Sequence, residues 1–264
     1  TLGFVTKIVL KLIALPKYDL LMLVPFVSLE KASEAVSAIF RAGFTPSGLE
    51  LVEIDALKIV SKMVDSHAVP VTDDIAAHLI VEVDGNDLDV LMKDMEAIAE
   101  LMVQYEGGEV FFADDANQKA ELWKLRRRVA EAVKTAGYTI EEDTVVPRAE
   151  LPKLIKGVKE LGEQYGFHAV CYGHAGDGNL HIRINHPTIK NSHGSEEMTN
   201  ALRALFKLVK SLGGTVSGEH GVGLIQKPYM DIVFNNANLQ LMRAIKKAFD
   251  PNNILNAGKI FDLN

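Results

Sequence analysis

Cysteine is almost absent from this 264-residue sequence, and long apolar runs are missing as well. The single cysteine, Cys171, excludes a disulfide within the chain and fits a reducing compartment. The longest apolar run without a charge, residues 20–29, is about half the roughly twenty residues that a membrane-spanning helix needs. The first residues lack the basic segment and small-residue cleavage site of a signal peptide. We therefore expect a cytoplasmic protein with no transmembrane segment.

Basic residues are also fewer than acidic ones. The chain has 28 Lys and Arg against 35 Asp and Glu, a net charge of −7. Binding to a phosphate backbone needs a concentrated basic surface. The densest basic run, Arg126-Arg127-Arg128, falls in a predicted helix, where three successive side chains point in different directions. We expect no nucleic-acid partner.

Hydrophobic periodicity predicts strands alternating with helices. The predicted strands cover residues 18–26, 49–54, 77–83, 110–113, 138–146, 167–172 and 180–185, and the main helices cover residues 29–42, 56–64, 87–105, 117–135, 151–165, 196–212 and 238–249. One clear hairpin and short connections favour antiparallel pairing. This predicts an α+β fold of antiparallel sheets with helices on one face, arranged as two tandem ferredoxin-like units. The units would span residues 16–137 and 138–249.

Histidine and glycine cluster in one part of the chain. Six of the eight histidines lie between His168 and His220. Within GHAGDGNLHIRI (residues 173–184), Asp177-Gly178 predicts a two-residue hairpin turn. That register sets His174 directly opposite His181 with Cβ atoms about 5 Å apart, so that both could hold one metal ion. A surface hairpin whose histidines meet by chance is the alternative.

A second glycine-rich segment, GGTVSGEHGVG (residues 213–223), carries Glu219 and His220. It lacks the G-K-[S/T] sequence of a phosphate-binding loop. A loop this permissive could bring Glu219 to His174 and His181. Two His and one Glu are a common ligand set for zinc or manganese that leaves positions open for substrate. His220 would then be free to act as a base, unless the segment is a flexible loop with incidental charges.

Three ordered motifs carry a family resemblance. GHAGDGNLH, SGEHGVG and the tail DPNNILNAGKIF resemble the C-terminal half of FAD-linked oxidases of the glycolate oxidase and FAD-dependent D-lactate dehydrogenase type. LWKLRRRVAEAV (residues 122–133) and EEDTVVPRAELP (residues 141–152) are also similar. Residues 2–12 resemble the strand that ends the flavin domain, so the resemblance covers the whole chain.

The resemblance implies oxidation of a small 2-hydroxy acid to the 2-oxo acid, with hydride transfer to FAD. It implies that His174, His181 and Glu219 bind a divalent metal ion, zinc or manganese. His220 would take the hydroxyl proton as general base. Arg126 would bind the substrate carboxylate through its planar guanidinium.

The resemblance also implies how the chain meets its cofactor. Asn179 is expected to brace the turn or to approach the flavin, and Asn256 and Lys259 are expected to bind the cofactor from a tail that folds back toward the flavin domain. Residues 1–15 would be the last strand of a truncated FAD-binding domain, residues 16–249 a cap or substrate domain, and residues 250–264 a tail returning toward the FAD domain. The glycine-rich pyrophosphate loop of the family is absent. We therefore expect an FAD-binding domain as partner and little activity without it.

One departure concerns the substrate. Relatives that act on 2-hydroxyglutarate carry lysine near the position of Glu141, and its absence here argues against a second substrate carboxylate. Peripheral membrane association through an electron acceptor and a homodimer both stay open. So do two other functions: a self-sufficient zinc hydrolase with the same ligands, and a non-catalytic ferredoxin-like binding module.

Overall fold

Seven strands form one antiparallel sheet in the computed structural model, which describes residues 1–64, 69, 71–113, 115–190 and 195–263. The strands are β1 (Tyr18–Phe26), β2 (Gly48–Glu53), β3 (Ala77–Gly85), β4 (Phe111–Phe112), β5 (Ile140–Val145), β6 (His168–Gly173) and β7 (Asn179–Asn185). Their order across the sheet is β4-β1-β3-β2-β6-β7-β5. Each predicted strand from residue 18 onward is present within a few residues of its expected bounds.

Eight helices accompany these strands in the described part of the chain. They are α1 (Leu29–Arg41), α2 (Ile54–Val64), α3 (Leu88–Gln104), α4 (Ala116–Thr135), α5 (Leu151–Tyr165), α6 (Glu196–Ser211), α7 (Met230–Val233) and α8 (Asn236–Phe249). Side chains of Ser28, Asp87 and Asp115 accept backbone N–H groups at the starts of α1, α3 and α4, which explains where these helices begin. The four-residue α7 is too short to show a helical period and was not predicted. Among the described helices, none has both the length and the apolar character that crossing a bilayer requires.

The strand order confirms two ferredoxin-like units in tandem. In the first unit, β4-β1-β3-β2 is the order of a βαββαβ unit, with α2 inserted between β2 and β3. The second unit repeats that order as β5-β7-β6 without a full fourth strand. A single bridge between Val145 and Thr215 lies where that fourth strand would run. The two units share one sheet because β2 pairs with β6.

The helices cover both faces of this sheet, so the prediction of helices on one face is corrected. On one face α1, α3, α5 and α6 bury the larger core, which includes Cys171 and Ile182. On the other face α2 and α4 bury a smaller core, which includes Val52, Val170 and Tyr172. The strands of the first unit and of the junction are apolar on both sides, and a sheet of this kind needs two layers of cover. Beyond the junction, the second face carries polar side chains.

The strand expected over residues 1–15 does not form in this structure. No described strand pairs with this segment, and a strand needs a neighbour for its N–H and C=O groups. Its apolar side chains are exposed: Val5, Val9, Leu12 and Leu15 are each more than four-fifths accessible. Its assignment to a flavin domain stays a prediction.

A half-buried ion pair reinforces the junction between the two units. Strands β2 and β6 pair at only two positions, and the ladder then stops at Glu53. The Glu53 carboxylate continues it, because one oxygen accepts the N–H of Cys171 at 2.8 Å and the other accepts the Lys159 ammonium at 2.5 Å. Lys159 also donates to the carbonyl oxygen of Ala169 at 2.6 Å. One side chain therefore ties β2, β6 and α5 together.

Replacing Glu53 with leucine should lower the free energy of unfolding by roughly 2–4 kcal/mol, since the Lys159 ammonium loses its charge partner and the Cys171 N–H loses its acceptor. Urea denaturation followed by circular dichroism measures this change. The double variant E53L/K159M should recover part of the loss because no charge is left without a partner. The matched control E163L, at an exposed position on α5, should stay within about 0.5 kcal/mol of the wild type. Equal stability of E53L and E163L would contradict the role of the ion pair.

Candidate metal and active site

The hairpin of β6 and β7 brings the two predicted histidines together, but in a different register. Tyr172 pairs with His181, whereas the two-residue turn predicted His174 in that place. The turn is longer because Ala175–Asp177 form a 3₁₀ turn and Gly178 follows with φ of 75°. A Cβ at Gly178 would lie 2.0 Å from the carbonyl oxygen of Val146, so glycine is required there.

The change of register leaves both histidines on the same face. A shift of two residues preserves the side of the sheet on which a side chain points. His174 follows the last residue of β6 and His181 lies within β7, with ring centroids 5.9 Å apart. The prediction of direct opposition was wrong, while the two imidazoles still converge.

The segment SGEHG is held over this face by one carboxylate, Asp143 of β5. One carboxylate oxygen of Asp143 accepts the hydroxyl of Ser217 at 3.0 Å and the backbone N–H groups of Glu219 and His220, each at 2.8 Å. The other oxygen accepts the side-chain amide of Asn179 at 2.7 Å. Asp143 lies directly opposite His181 across the β5–β7 ladder, so the loop is tied down beside the histidines.

These contacts determine the ionisation of Asp143. Burial opposes its charge, but the N–H groups of His220 and Glu219 and the hydrogen bonds from Asn179 and Ser217 outweigh burial and lower its pKa to about 2. A carboxylate whose folded pKa lies below its unfolded value stabilises the protein above the unfolded pKa. That contribution is complete at neutral pH and is lost as pH falls from about 4 to about 2.

Three candidate metal ligands converge beside the SGEHG loop. Oε1 of Glu219 lies 3.7 Å from Nε2 of His174 and 3.4 Å from Nε2 of His181. One ligand atom of each residue lies within 4.8 Å of the other two. Zinc bonds nitrogen and oxygen at about 2.0–2.2 Å, so the ligand atoms of one ion stand roughly 3.3–3.5 Å apart. The donor set fits a divalent ion after small movements.

A carboxylate supports the first histidine from behind. Nδ1 of His174 lies 2.6 Å from Oε1 of Glu50, a residue of β2. This hydrogen bond raises the pKa of His174 against partial burial. Burial acts to raise the pKa of Glu50. The interactions with His174 and Arg126 have the larger effect in the opposite direction, so the pKa of Glu50 lies below its ordinary value. An ionised Glu50 fixes Nδ1 as the protonated nitrogen and leaves Nε2 of His174 free for a ligand.

The second histidine is kept neutral. Burial, followed by electrostatic repulsion from the neighbouring His220 and Arg126, lowers the pKa of His181 to about 4. A metal ion binds the neutral imidazole, so this environment favours ligation. The ring of His220 stacks on His181 at a centroid distance of 5.1 Å. His220 is about half exposed and borders an open cavity of about 480 Å³ that Glu141, Arg183 and Val222 also line.

Arg126 reaches the site from α4, but it already has a partner. Its Nε donates to Oε2 of Glu50 at 2.9 Å, and its Nη2 forms an ion pair with the same oxygen at 2.7 Å. The guanidinium lies 5.6 Å from the ring centroid of Tyr172. Its side chain is only one-tenth exposed. Through its two contacts with Glu50, Arg126 also fixes the carboxylate that supports His174. Its predicted contact with a substrate carboxylate is untested.

The three residues predicted to face FAD lie in two places. Asn179 is buried under the SGEHG loop and bonded to Asp143, which supports a bracing role. A Cβ at Gly218 would lie 1.9 Å from Nδ2 of Asn179, so the loop packs directly on it. Asn256 and Lys259 are exposed in the tail and bonded to each other at 3.0 Å. Their contact with FAD stays a prediction.

Sequence reasoning missed Glu50 and Asp143, which organise the site. Both are acids within strands whose residues are mostly buried, in GLELVE and IEEDTV. A charged residue that alternates into a buried strand is unusual, because burying a carboxylate costs free energy unless it is paired. That pattern could have identified both positions, although the spacing alone does not show which side chains they contact.

Comparison with known proteins identifies the family of this chain. The family model described as FAD linked oxidases, C-terminal domain, matches residues 15–260. The chain is 32% identical over 262 residues to "Glycolate oxidase subunit GlcD" of Bacillus subtilis (strain 168), covering 99% of this chain and 55% of that protein. It is 30% identical over 265 residues to "D-lactate dehydrogenase" of Anaerostipes hadrus, covering 98% of this chain and 56% of that protein. The chain thus spans about half the length of these relatives.

Solved structures show the same fold at lower identity. P-cresol methylhydroxylase with substrate bound matches with a TM-score of 0.67 and 16% identity, over 94% of this chain and 54% of that one. The 4-ethylphenol oxidase from Gulosibacter chungangensis matches with a TM-score of 0.65 and 15% identity, over 94% of this chain and 55% of that one. At this identity the likeness concerns the fold alone. The family match over most of the chain shows that it belongs to the FAD-linked oxidases, as their C-terminal domain.

Proposed function

We propose that this chain is the substrate-binding and metal-binding part of a flavoprotein that oxidises a small 2-hydroxy acid, of the glycolate or D-lactate type, to the 2-oxo acid. One observation carries the proposal: His174, His181 and Glu219, from a hairpin and a distant loop, converge on one point beside His220. The names of the relatives support the substrate class. An FAD-binding domain would complete the enzyme.

Each group has a separate part in this reaction. A divalent ion bound by His174, His181 and Glu219 would lower the pKa of a substrate hydroxyl group. Bound FAD would accept the hydride from C2 of the substrate. His220 would take the hydroxyl proton on its ring and pass it to solvent, to which its side chain is about half exposed. The proton and the hydride together account for the two-electron oxidation.

Two basic side chains bear on the size of the substrate. Arg126 would bind the carboxylate of the hydroxy acid, next to the ligands, through whichever guanidinium N–H groups do not engage Glu50. Arg183 lies on the wall of the open cavity, where Glu141 pairs with it at 2.6 Å. Because Glu141 occupies Arg183, the pair offers little attraction to a second substrate carboxylate. This supports a short monocarboxylic acid.

Exposed apolar surface supports an FAD-binding domain as partner. Side chains along residues 4–15 are largely exposed, and so are Phe249 and Ile254 in the last helix and the tail. The tail is attached to the loop that follows His220, because the N–H of Ile260 donates to the carbonyl oxygen of Gly223 at 2.8 Å. Exposed apolar side chains in this number are typical of an interface. A domain docked there would lie next to the site.

Alanine at His174 is expected to weaken zinc binding by more than about 100-fold, the upper end of what the loss of an outer-shell partner costs. The reason is the loss of one of three protein ligands. Competition with a chromophoric chelator on the purified chain measures the affinity. The control H168A changes an exposed histidine on β6, which is bonded to Tyr138 and lies outside the ligand set. If the wild type binds no zinc or manganese at micromolar concentrations, the metal centre is excluded.

Alanine at His220 should slow flavin reduction by about 10²- to 10⁴-fold, the usual contribution of a positioned general base. The measurement is anaerobic stopped-flow reduction of the assembled flavoprotein by glycolate or D-lactate. Zinc affinity should stay near the wild-type value, since His220 is not among the three ligands. Partial rescue by added imidazole would support proton transfer, and an undiminished reduction rate would refute the role of His220.

Replacing Asp143 with asparagine should weaken the hold on the SGEHG loop, because the negative charge is lost and one of the two acceptor oxygens becomes a nitrogen that cannot accept an N–H group. We expect zinc affinity to fall about 10- to 100-fold, with the fold retained. Hydrogen exchange should rise at the amides of Glu219 and His220. The matched control D89N, at an exposed position on α3, should change neither quantity. Protection of both amides in D143N equal to the wild type would contradict the clamp.

A further inference from the structure

His181 has one ring nitrogen that the proposed metal centre leaves unexplained. Its side chain is 8% exposed, and Nε2 faces Oε1 of Glu219. Nδ1, on the other side of the ring, has no hydrogen-bond partner among the described residues. A neutral imidazole carries one proton, so if Nε2 bonds an ion, Nδ1 must carry that proton. A buried N–H donor without an acceptor costs free energy, and the centre needs an acceptor there.

The carboxylate of Glu141 stands on that side. Its Oε1 lies 3.9 Å from Nδ1 of His181, and its Oε2 is held by Nη2 of Arg183 at 2.6 Å. In the β5–β7 ladder Glu141 is opposite Arg183, and Asp143 is opposite His181. Glu141 is therefore the diagonal neighbour of His181 on the same face, within reach of a long side chain.

The other histidine shows the same arrangement already closed. His174 offers Nε2 to the centre, and its Nδ1 lies 2.6 Å from Oε1 of Glu50. Glu50 is in turn held by a cation, Arg126, as Glu141 is held by Arg183. Each ligand histidine thus has an arginine-bound carboxylate on the side away from the centre. The two arrangements differ in the distance from Nδ1 to the carboxylate oxygen, which is 2.6 Å for His174 and 3.9 Å for His181.

The geometry points to Glu141 as a positioning residue for the metal centre. When an ion bonds Nε2 of His181, Oε1 of Glu141 accepts the proton of Nδ1 and fixes the tautomer and the orientation of the ring. The distance of 3.9 Å then closes to hydrogen-bond length. This inference rests on the proposed metal centre and adds a role for Glu141 that the ligand set does not contain.

A second cation is the competing occupant of this space. Glu141, His181 and His220 also place ligand atoms within 4.8 Å of one another. A second ion would have to bond Nδ1 while the first bonds Nε2, which requires His181 to give up its last ring proton. It would also lie beside the guanidinium of Arg183, which repels a cation. Both costs favour the hydrogen bond.

Two substitutions at Glu141 separate the acceptor from the ion pair. E141L and E141Q both remove the charge that pairs with Arg183, but only E141Q keeps an oxygen within reach of Nδ1. Zinc affinity of the purified chain should fall about 10- to 100-fold in E141L and much less in E141Q. In the zinc-loaded wild type, two-bond ¹H–¹⁵N spectra should show His181 protonated at Nδ1, with a slowly exchanging proton. The slow exchange of that proton should persist in E141Q and be lost in E141L.

The outcomes are distinguishable. Equal zinc affinity of E141L and the wild type, or equal losses in E141L and E141Q, would overturn the inference while leaving the metal centre intact. Two zinc ions per wild-type chain, with the second lost in E141L, would overturn it in favour of a second cation site. If the wild type binds neither zinc nor manganese while its fold is intact, the proposed function itself fails.

Discussion

The site depends on Asp143, whose carboxylate ties a distant loop to the sheet. Five donors from the loop and β7 point at this one residue, counting the N–H of Gly218 to its carbonyl oxygen. Without that anchor, Glu219 and His220 would belong to a glycine-rich segment with little to order it. Burial at 1% exposure makes these charge-assisted bonds stronger than they would be in water. The loop position is thus an electrostatic consequence of one acid in an edge strand.

The double layer of the sheet explains why the site lies where it does. Helices α2 and α4 cover the second face only as far as the junction of the two units, where Val170 and Tyr172 are buried. Beyond it, β5 and β7 present Glu141, Asp143 and His181 on a face that no described helix covers. Polar side chains can occupy these positions because the loop, and not an apolar helix, lies over them.

Most helices and strands could be predicted from local sequence patterns, because helix caps and hydrophobic periods can be recognised within short segments. The convergence of His174 and His181 was also predictable, since alternation along the strands preserves the face even where the turn length was misjudged. The clamp was not. Asp143 is 74 residues from Ser217, and nothing local relates an acid in β5 to a loop after α6. The second helix layer was missed for a similar reason, since α2 and α4 reveal their apolar stripes but not which side of the sheet they join.

The unequal exposure of the site residues bears on how the chain could work. His181 is buried, whereas the side chains of Glu219 and His220 are about half exposed. Charges that stabilise a transition state act far more strongly when water is excluded. In the proposed enzyme the chain supplies ligands, base and supporting carboxylates, but one side of them is open to solvent. In our proposal the FAD-binding domain has two tasks on that side, because the body that presents the flavin must also remove the water.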